Sequence, residues 1–428
     1  MRYLQKISGW NRVVRGRCEL TIVEAETEII SEVGIPRGNG QSYGDAAVNF
    51  SDKVFKIQQK PFLPIIDKGS SIVVSAGNTI GEICEYLARS FRFLETVPGS
   101  IDATIGGCIA ADVHGKNDLS YGSFGNSVIK LEIIDCLGKR EVLNSENDFK
   151  MIVAGYGLTG LITWVEIKTR PIPSKNLKIE CFITNGFSEF FQQMNHADVN
   201  NEFTVGWLDF GRKDRIRGYV ETANWMAVGK TKSRNSNIRI KFPNVYFNLF
   251  NPFVIRIYNS FTFNAAKRRS KKQNHFTLYQ NYLFPLHFLK NWNRIFGKRG
   301  FHEIQLLLQN ENIITAMQDF ANISERFPVF LVGIKKISQS GRGLLSFTKP
   351  GWSVAVNIPG KYISIIEVNE ILEFFWRKYG ARQYLAKDIA LDWKLFSEMY
   401  PQIGDFKNYR KINNLEIFQS EMSKRLNI

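Results

Sequence analysis

The sequence predicts an α+β protein built from two domains. The chain has 428 residues, enough for two hydrophobic cores, and its 44% hydrophobic and 22% charged residues are ordinary for a globular protein. Short β-branched segments separated by glycine and proline turns fill roughly the first 175 residues. After the proline-rich segment 171–174 the composition changes to aromatic and basic residues with few glycine clusters. These observations predict a domain boundary near residue 175.

Three segments of the first domain are predicted to be strands and one a helix. The strands are Ser71–Ser75, 128–136 and 161–169, which are rich in β-branched residues and are followed by glycine or proline. Thr79 and Glu82 stand three residues apart before an apolar run at helical spacing. This capping-box pattern predicts a helix that begins there.

Two segments later in the chain also carry structural predictions. The run 267–272 is basic and lies in a polar stretch, so it is predicted to be a flexible loop. Residues 405–428 are predicted to end in an amphipathic helix, because apolar residues recur there at helical spacing. The residues predicted to share one face of that helix are Leu415, Phe418, Met422 and Leu426.

Charge and composition limit the possible partners and the compartment. The formal net charge of +16 suits anionic partners such as phosphorylated substrates or anionic lipid, and the absence of a nucleic-acid-binding motif argues against nucleic acid. The sequence shows no signal-peptide pattern and no run of about 18 apolar residues. We therefore expect a cytoplasmic protein, with a peripheral position at the inner face of the membrane as the open alternative. Five scattered cysteines without metal-ligand spacing predict buried thiols and no metal site.

Glycine-rich segments carry the functional signal. Segment 37–45 reads RGNGQSYGD, segment 98–117 reads PGSIDATIGGCIAADVHGKN, and segment 155–160 reads GYGLTG. Uncovered backbone amides can form an anion-binding nest, and small residues let the backbone approach a planar ligand. The GxGxxxG spacing of the first segment is not that of a Rossmann fingerprint. Three such loops indicate one large nucleotide cofactor, with three tight turns of a β-rich domain as the alternative.

These segments resemble the FAD-binding domain of the vanillyl-alcohol-oxidase superfamily. Within it they are most similar to the decaprenylphosphoryl-β-D-ribose oxidase family, which shows RGxGxSYGD, PGTxxxTxGGxIAxDxHGKN and GxGLTGII. The similarity continues in YLAKD at 384–388, in MYP at 399–401 and in segment 418–426. It therefore spans nearly the whole chain, although the middle third matches only in patches.

The resemblance implies an arrangement of domains around FAD. A PCMH-type FAD-binding domain of two subdomains is expected over residues 1–175. A substrate domain with an antiparallel sheet and flanking helices is expected over 176–381, and segment 382–428 is expected to return to the FAD domain. The residues that the resemblance assigns to FAD are Arg37, Gly38, Asn39, Gly40, Gln41, Ser42, Tyr43, Gly99, Ser100, Thr104, Gly107, Ala110, His114, Gly115, Gly157, Ile162, Tyr384 and Ala386.

The resemblance also implies how FAD is attached and which residues act. Many members of the superfamily carry a histidine in the first loop that bonds to the flavin, and Gln41 stands there in this chain, so FAD is expected to be non-covalent. Lys387 is the leading catalytic residue, either as a neutral base or as a charged phosphate anchor, and His114 is the second. The residues assigned to substrate are Lys116, Trp207, Glu303, Gln305, Lys335, Ser353 and Lys387.

Three positions depart from the family pattern. Glu303 replaces the first of two glutamines in the substrate pocket, and a carboxylate beside a phosphorylated sugar is costly unless it is paired. Ala355 replaces a cysteine, and Ile337 replaces an aromatic residue near Lys335. These changes leave the flavin chemistry intact and leave the identity of the sugar open.

The reaction implied by the resemblance is oxidation of a secondary sugar hydroxyl to a ketone. The expected substrate is a polyprenyl-phosphate-linked pentose oxidised at C2, as the first half of an epimerisation completed by a short-chain reductase. The basic run 267–272 and its neighbouring aromatic residues fit an anionic membrane surface as well as they fit a solvated loop. Two alternatives stay open: an FAD oxidase of a free polyol or aldonolactone, and a basic membrane- or nucleic-acid-binding protein without flavin.

Overall fold

The structure, a computed structural model, describes residues 2–23, 32–57, 65–210, 216–227, 239–243, 250–272 and 275–428. It contains three sheets of four or more strands and a set of helices that pack against them. This mixture of helices and largely antiparallel sheets confirms the predicted α+β class.

The first sheet has four strands in the order β1-β2-β4-β3, with β1 and β2 antiparallel and the other pairs parallel. The second has the order β5-β6-β10-β8-β9, and β7 pairs with the far end of β10. The strands are β1 Arg2–Ser8, β2 Arg15–Val23, β3 Gly34–Pro36, β4 Lys53–Ile57, β5 Ile66–Asp67, β6 Ser71–Ser75, β7 Arg92–Leu94, β8 Val128–Ile134, β9 Arg140–Leu143 and β10 Leu161–Pro171. The accompanying helices are α1 Ile80–Arg89, α2 Ile105–Ala110, α3 Asp118–Tyr121 and α4 Glu146–Ile152, with a 3-10 turn at Phe124–Ser127.

The third sheet has eight strands in the order β15-β11-β13-β12-β18-β19-β17-β20, and all its pairs are antiparallel. A separate parallel pair joins β14 to β16. The strands are β11 Asn176–Asn185, β12 Phe203–Asp209, β13 Arg217–Trp225, β14 Ile240–Lys241, β15 His275–Leu278, β16 Leu289–Lys290, β17 Phe301–Leu308, β18 Leu331–Ile337, β19 Gly351–Pro359 and β20 Arg382–Gln383. The helices are α5 Phe187–Asn200, α6 Pro252–Ser270, α7 Tyr279–Leu283, α8 Ile313–Ile323, α9 Ile365–Tyr379, α10 Trp393–Met399, α11 Ile403–Ile412 and α12 Glu421–Arg425. The remaining 3-10 turns are Trp292–Arg299, Asn310–Asn312, Leu385–Lys387 and Leu415–Ile417.

The local signals in the first domain produce the expected elements. All five residues of β6 are buried, as a β-branched strand inside a sheet requires. Thr79 Oγ1 accepts from the Glu82 amide at 3.2 Å while the Glu82 carboxylate accepts from the Thr79 amide at 2.8 Å, so the capping box is confirmed. Strand β8 ends two residues earlier than predicted because Asp135 Oδ1 accepts from the amides of Leu137 and Lys139 and closes a turn.

The basic run 267–272 is not the flexible loop that its composition predicted. Residues 267–270 form the last turn of α6, the helix that Asn251 caps at its start. Cations in the last turn of a helix are stabilised by the helix dipole, and Arg269 also pairs with Glu221 at 2.7 Å. The polar composition that predicted a loop here is therefore that of the last turn of a helix.

The prediction of one amphipathic helix at the end of the chain is also wrong. Helix α11 ends at Ile412, and Asn414 then adopts a left-handed conformation with φ of 54°. A 3-10 turn and the short helix α12 follow, so the four apolar residues lie on different elements. All four are nevertheless buried, with at most 3% of each side chain exposed.

This C-terminal segment packs against the start of the chain. The Gln419 amide donates to the Gly34 carbonyl at 2.8 Å, and the Glu421 carboxylate accepts from the Phe50 amide. The chain passes from the second sheet to the third between β10 and β11, close to the predicted boundary. The exact domain limits at 175 and 382 stay predictions.

One half-buried arginine ties this segment to two of the sequence motifs. The Arg425 guanidinium donates to both carboxylate oxygens of Asp45, each at 2.9 Å, and to Asp388 at 2.9 Å. Asp45 and Asp388 are only 4% and 1% exposed. Burial raises the pKa of Asp45 although Arg425 opposes that shift, so the arginine offsets a large cost of desolvation.

Two further predictions can be compared with the described residues. All five cysteines are free and buried, as expected. Among the described helices, none combines the length and the apolar character that a membrane crossing requires.

Replacing Arg425 with Met is expected to lower the free energy of unfolding by about 3–5 kcal/mol, because two buried carboxylates lose their counter-ion. Urea denaturation followed by tryptophan fluorescence measures the change. Arg326→Met is the matched control, since it removes an exposed arginine 3.7 Å from Glu367 and should leave the midpoint nearly unchanged. Equal midpoints for the two variants would contradict the role given to Arg425.

Candidate active site

A cavity of about 710 Å³ lies where the glycine-rich segments meet the eight-stranded sheet. Its volume falls in the range of about 300–1,000 Å³ that cofactor and ligand sites occupy. Every residue that the sequence assigned to cofactor or substrate lines this cavity except Gly115. Sequence motifs up to 350 residues apart, from Arg37 to Lys387, therefore converge on one site.

The first glycine segment presents free backbone donors to the cavity. Within the described residues, the amides of Gly38, Gly40, Gln41 and Ser42 have no hydrogen-bond acceptor. Successive uncommitted amides form a nest that suits a phosphate or pyrophosphate. Arg37 braces this loop, because its guanidinium donates at 2.8 Å to the carbonyls of Ala47 and Ser8.

The second segment is bonded to the first. Ser100 Oγ donates to the side-chain oxygen of Gln41 at 2.9 Å, and the Asn39 side chain donates to the Asp102 carbonyl at 3.0 Å. Thr104 Oγ1 accepts from the Gly107 amide at 3.2 Å and so caps α2. The two loops thus form one rigid wall of the cavity.

Tyr156 Oη and Trp207 Nε1 are among the buried donors on the wall that have no partner within the described residues. Each of these two side chains is only 4% exposed. A buried donor without an acceptor costs about 1–3 kcal/mol, so such groups usually face a ligand. Together with the glycine loops, these donors fit a large, polar, planar cofactor.

Lys387 lines the cavity next to Tyr43 of the first glycine segment. Its Nζ lies 3.0 Å from Glu303 Oε1 and 3.1 Å from the centre of the Tyr43 ring. The Tyr43 amide donates to the Ala386 carbonyl at 2.9 Å, which joins the first glycine segment to the residue before the lysine. Burial lowers the pKa of Lys387, and the Glu303 carboxylate opposes that shift.

Glu303 and Gln305 lie on β17 two residues apart and so point to the same face. The Gln305 side-chain nitrogen donates to Ser353 Oγ at 3.0 Å and lies 2.7 Å from His114 Nε2. Burial, with Lys335 and Lys387 nearby, holds the pKa of His114 well below its usual range. Its imidazole is therefore neutral and accepts from the amide.

Two further lysines bring positive charge to the cavity. Burial lowers the pKa of Lys335 to about 8, aided by the nearby charge of Lys387. Burial also lowers the pKa of Lys116 to about 8, and its Nζ lies 4.1 Å from the centre of the Tyr282 ring. Both groups are charged at neutral pH and can bind an anion.

Sequence reasoning missed several lining residues. Tyr219 stacks on Trp207 with ring centres 5.2 Å apart, and Tyr156 contributes one of the partnerless donors. Other missed residues are Phe250, Tyr258, Thr262, Leu283, Trp292 and Phe330. Tyr156 stood inside a quoted motif and could have been named, whereas the others are scattered aromatic and apolar residues without a local pattern. Of the departures, Ala355 lines the cavity, while Ile337 is buried in the core and does not line it.

Comparisons with known proteins support FAD as the cofactor. A family model described as an FAD binding domain matches residues 31–144. The decaprenylphosphoryl-beta-D-ribose oxidase of Mycolicibacterium smegmatis is 28% identical over 99% of this chain and 98% of its own length. The D-arabinono-1,4-lactone oxidase of Candida albicans is 25% identical over 33% of this chain and 26% of its own. The mitochondrial D-2-hydroxyglutarate dehydrogenase of Rattus norvegicus is 25% identical over 43% of this chain and 38% of its own.

Gly38→Ala is expected to lower the amount of bound flavin, because the new methyl group would collide with Thr104 Oγ1, which caps α2. The ratio of flavin to protein absorbance after gel filtration measures this loss. Gly404→Ala is the matched control, since open space surrounds that position. Full flavin content in Gly38→Ala would show that the two loops do not hold the cofactor as a unit.

Proposed function

Since the chain is an FAD-dependent oxidoreductase that carries an FAD-binding domain and acts on CH–OH donors, we propose that it oxidises a secondary hydroxyl of a lipid-linked phosphosugar. C2 of a polyprenyl-phosphate-linked pentose is the preferred position, and the product is the ketone. The observation that carries the proposal is one cavity in which the glycine loops face Lys387, Glu303 and Lys335. The near full-length similarity to an enzyme named for decaprenylphosphoryl ribose supports this substrate class.

We propose that the FAD is bound without a covalent link. The free amides of the first loop and the second segment hold it, and Gln41, which stands in the loop, is an amide without nucleophilic character. Acid precipitation should then leave a colourless protein pellet and a yellow supernatant. Flavin colour that stays with the pellet would contradict the proposal.

The protein supplies substrate orientation and a path for one proton. When bound between the glycine loops and Tyr384, FAD would supply the hydride acceptor for the carbon that carries the hydroxyl group. Gln305, fixed by Ser353 and His114, can hold a sugar hydroxyl, and the hydroxyl proton must leave toward a basic group. The Glu303–Lys387 pair is the basic group on this wall of the cavity.

The charges of the pocket fit a phosphorylated substrate. A carboxylate beside a phosphorylated sugar is costly unless it is paired with a cation. Glu303 has such a partner, because its Oε1 lies 3.0 Å from Lys387 Nζ. Three cations then remain among the described cavity residues, beside the Arg239–Asp102 ion pair: Arg37, whose guanidinium is bonded to the Ala47 and Ser8 carbonyls, Lys335 and Lys116. We assign the substrate phosphate to these two lysines.

The substrate panel that tests the proposal compares a lipid-linked ribose phosphate with free alditols and an aldonolactone. The lipid-linked sugar should bleach the flavin absorbance in the absence of oxygen at least 100-fold faster than the free compounds, because only it engages both lysines. Lys387→Met should keep its flavin and lose this reaction. Faster bleaching by a free polyol or by the lactone would favour the second candidate, an oxidase of unphosphorylated substrates, which the partial similarity to a lactone oxidase supports.

We propose that the enzyme works at the cytoplasmic face of an anionic membrane. Helix α6 has two faces: Tyr258 and Thr262 line the cavity, whereas Phe253, Ile257 and Phe261 are 53–70% exposed at a spacing of four residues. Three cations close the helix. An apolar stripe that ends in cations suits the boundary between acyl chains and anionic headgroups. A ketone product in that location would suit a nicotinamide-dependent short-chain reductase as the next enzyme.

Vesicle sedimentation tests this location. The protein should sediment with vesicles of phosphatidylglycerol and phosphatidylcholine at low salt, and the double variant Phe253→Ser/Phe261→Ser should bind them on the order of 100-fold more weakly. The matched control Ile366→Ser/Ile412→Ser removes two side chains of equal exposure elsewhere and should bind like the unmodified chain. Equal binding by both double variants would refute the role of α6.

A further inference from the structure

We propose that Glu303 is the group that holds the hydroxyl proton after substrate oxidation, and that Lys387 stays an ammonium ion throughout. This inference deepens the proposed function and rests on it, because it names the proton acceptor of the same site. It goes beyond the sequence expectation, which offered Lys387 as a neutral base or as a phosphate anchor and treated Glu303 as a substrate contact.

Geometry makes Glu303 the available carboxylate. Among the described residues that line the cavity, the carboxylates are Asp102 and Glu303. Asp102 accepts both terminal nitrogens of Arg239, at 2.7 and 3.1 Å, so its oxygens are occupied. Glu303 is 7% exposed, and its Oε1 has a single short contact, 3.0 Å from Lys387 Nζ. A carboxylate offers about four lone-pair sites, so it has capacity left for a proton.

The surroundings of Lys387 favour its charged form. A neutral amine would leave the buried Glu303 carboxylate without a counter-ion, which costs several kcal/mol. The Nζ atom also lies 3.1 Å from the centre of the Tyr43 ring, a contact that attracts a cation and gives a neutral amine little. An ammonium group has no lone pair and cannot accept a proton from an alcohol.

The groups that face this pair come from every element packed around it. The charge of Lys335 on β18 interacts with both Lys387 and Glu303. Tyr43 comes from the first glycine segment, and Tyr384 directly precedes the 3-10 turn that contains Lys387. His114 is neutral, and the two tyrosines hold their protons because burial raises the pKa of each well above its usual range. Glu303 is thus the basic partner among these groups at neutral pH.

The proposed step balances in protons and electrons. The substrate C–H bond breaks and its electron pair leaves with the hydride for FAD, while the O–H bond breaks and its electrons form the C=O bond. The hydroxyl proton passes directly to the second carboxylate oxygen of Glu303, Oε2, while Lys387 Nζ keeps its three protons and its 3.0 Å contact with Oε1. The pair begins as ammonium and carboxylate and ends as ammonium and carboxylic acid.

The variant Glu303→Gln distinguishes proton transfer to Glu303 from proton transfer to a neutral Lys387. With Glu303 as the acceptor, the rate constant of flavin reduction at saturating substrate should fall about 100- to 10,000-fold, with little change in substrate binding. With a neutral Lys387 as the base, removal of the carboxylate that raises its pKa would enlarge the neutral fraction, so the rate at pH 7 would rise. A rise or an unchanged rate overturns the proposal. Glu303→Asp keeps the carboxylate and should recover part of the rate.

The pH profile gives a second, independent outcome. If Lys387 were the base, the reduction rate at saturating substrate would rise tenfold per pH unit below the pKa of that lysine, whereas a Lys387 that stays an ammonium ion predicts no such rise. Saturation matters because Lys335 loses its charge above about pH 8, which weakens binding of a phosphorylated substrate. A rate that climbs tenfold per unit overturns the proposal.

Two spectroscopic readouts need no turnover of the variant. Nitrogen-15 NMR of the oxidised, substrate-free holoenzyme should show Lys387 as ammonium at pH 7, and its pKa should fall in Glu303→Gln. Infrared difference spectra of the substrate-reduced enzyme should show a new carboxylic-acid band that Glu303→Gln lacks. A neutral Lys387 amine at pH 7, or an identical band in the variant, overturns the proposal. If no alcohol reduces the flavin of the unmodified enzyme, the proposed function itself has failed, while the NMR result still reports the state of the pair.

Discussion

The candidate active site depends on a half-buried arginine that lies outside it. Arg425 holds Asp45 and Asp388 together through three contacts of 2.9 Å. Asp45 ends the first glycine segment, and Asp388 directly follows Lys387. A single guanidinium therefore links the first glycine segment to the residue that follows Lys387. This constraint explains why the last residues of the chain carry motif positions although none of them lines the cavity.

The same constraint gives the pocket its charge pattern. The bond from the Tyr43 amide to the Ala386 carbonyl places Lys387 over the Tyr43 ring, where Glu303 meets it. The Glu303 carboxylate is paired with Lys387, and the other cations that line the described cavity beside the Arg239–Asp102 pair are Arg37, Lys335 and Lys116.

The sequence predicted the parts of the site that are local in the chain. Glycine spacing and the capping box of α1 follow from short-range pattern, whereas the residues of segments 114–117 and 386–388 were assigned through the family resemblance. The pairing of Glu303 with Lys387 was beyond such patterns, because it depends on the register of β17 against the turn at Leu385–Lys387. The two wrong element predictions have a related cause. Polarity suggested a loop at 267–272, but helix-terminal charge and an ion pair stabilise a helix there, and Asn414 divides an apolar pattern that looked continuous.

The central claim is that the flavin of this enzyme faces Lys387 and Glu303 across the cavity that the glycine loops form. A crystal structure of the FAD-loaded protein tests it most directly. We expect the FAD pyrophosphate to lie against the amides of the segment from Gly38 to Ser42. The flavin ring should lie at a distance from Lys387 Nζ that leaves room for one substrate molecule between them. A flavin bound elsewhere, or one whose ring is shielded from Lys387 and Glu303 by protein, would contradict the account.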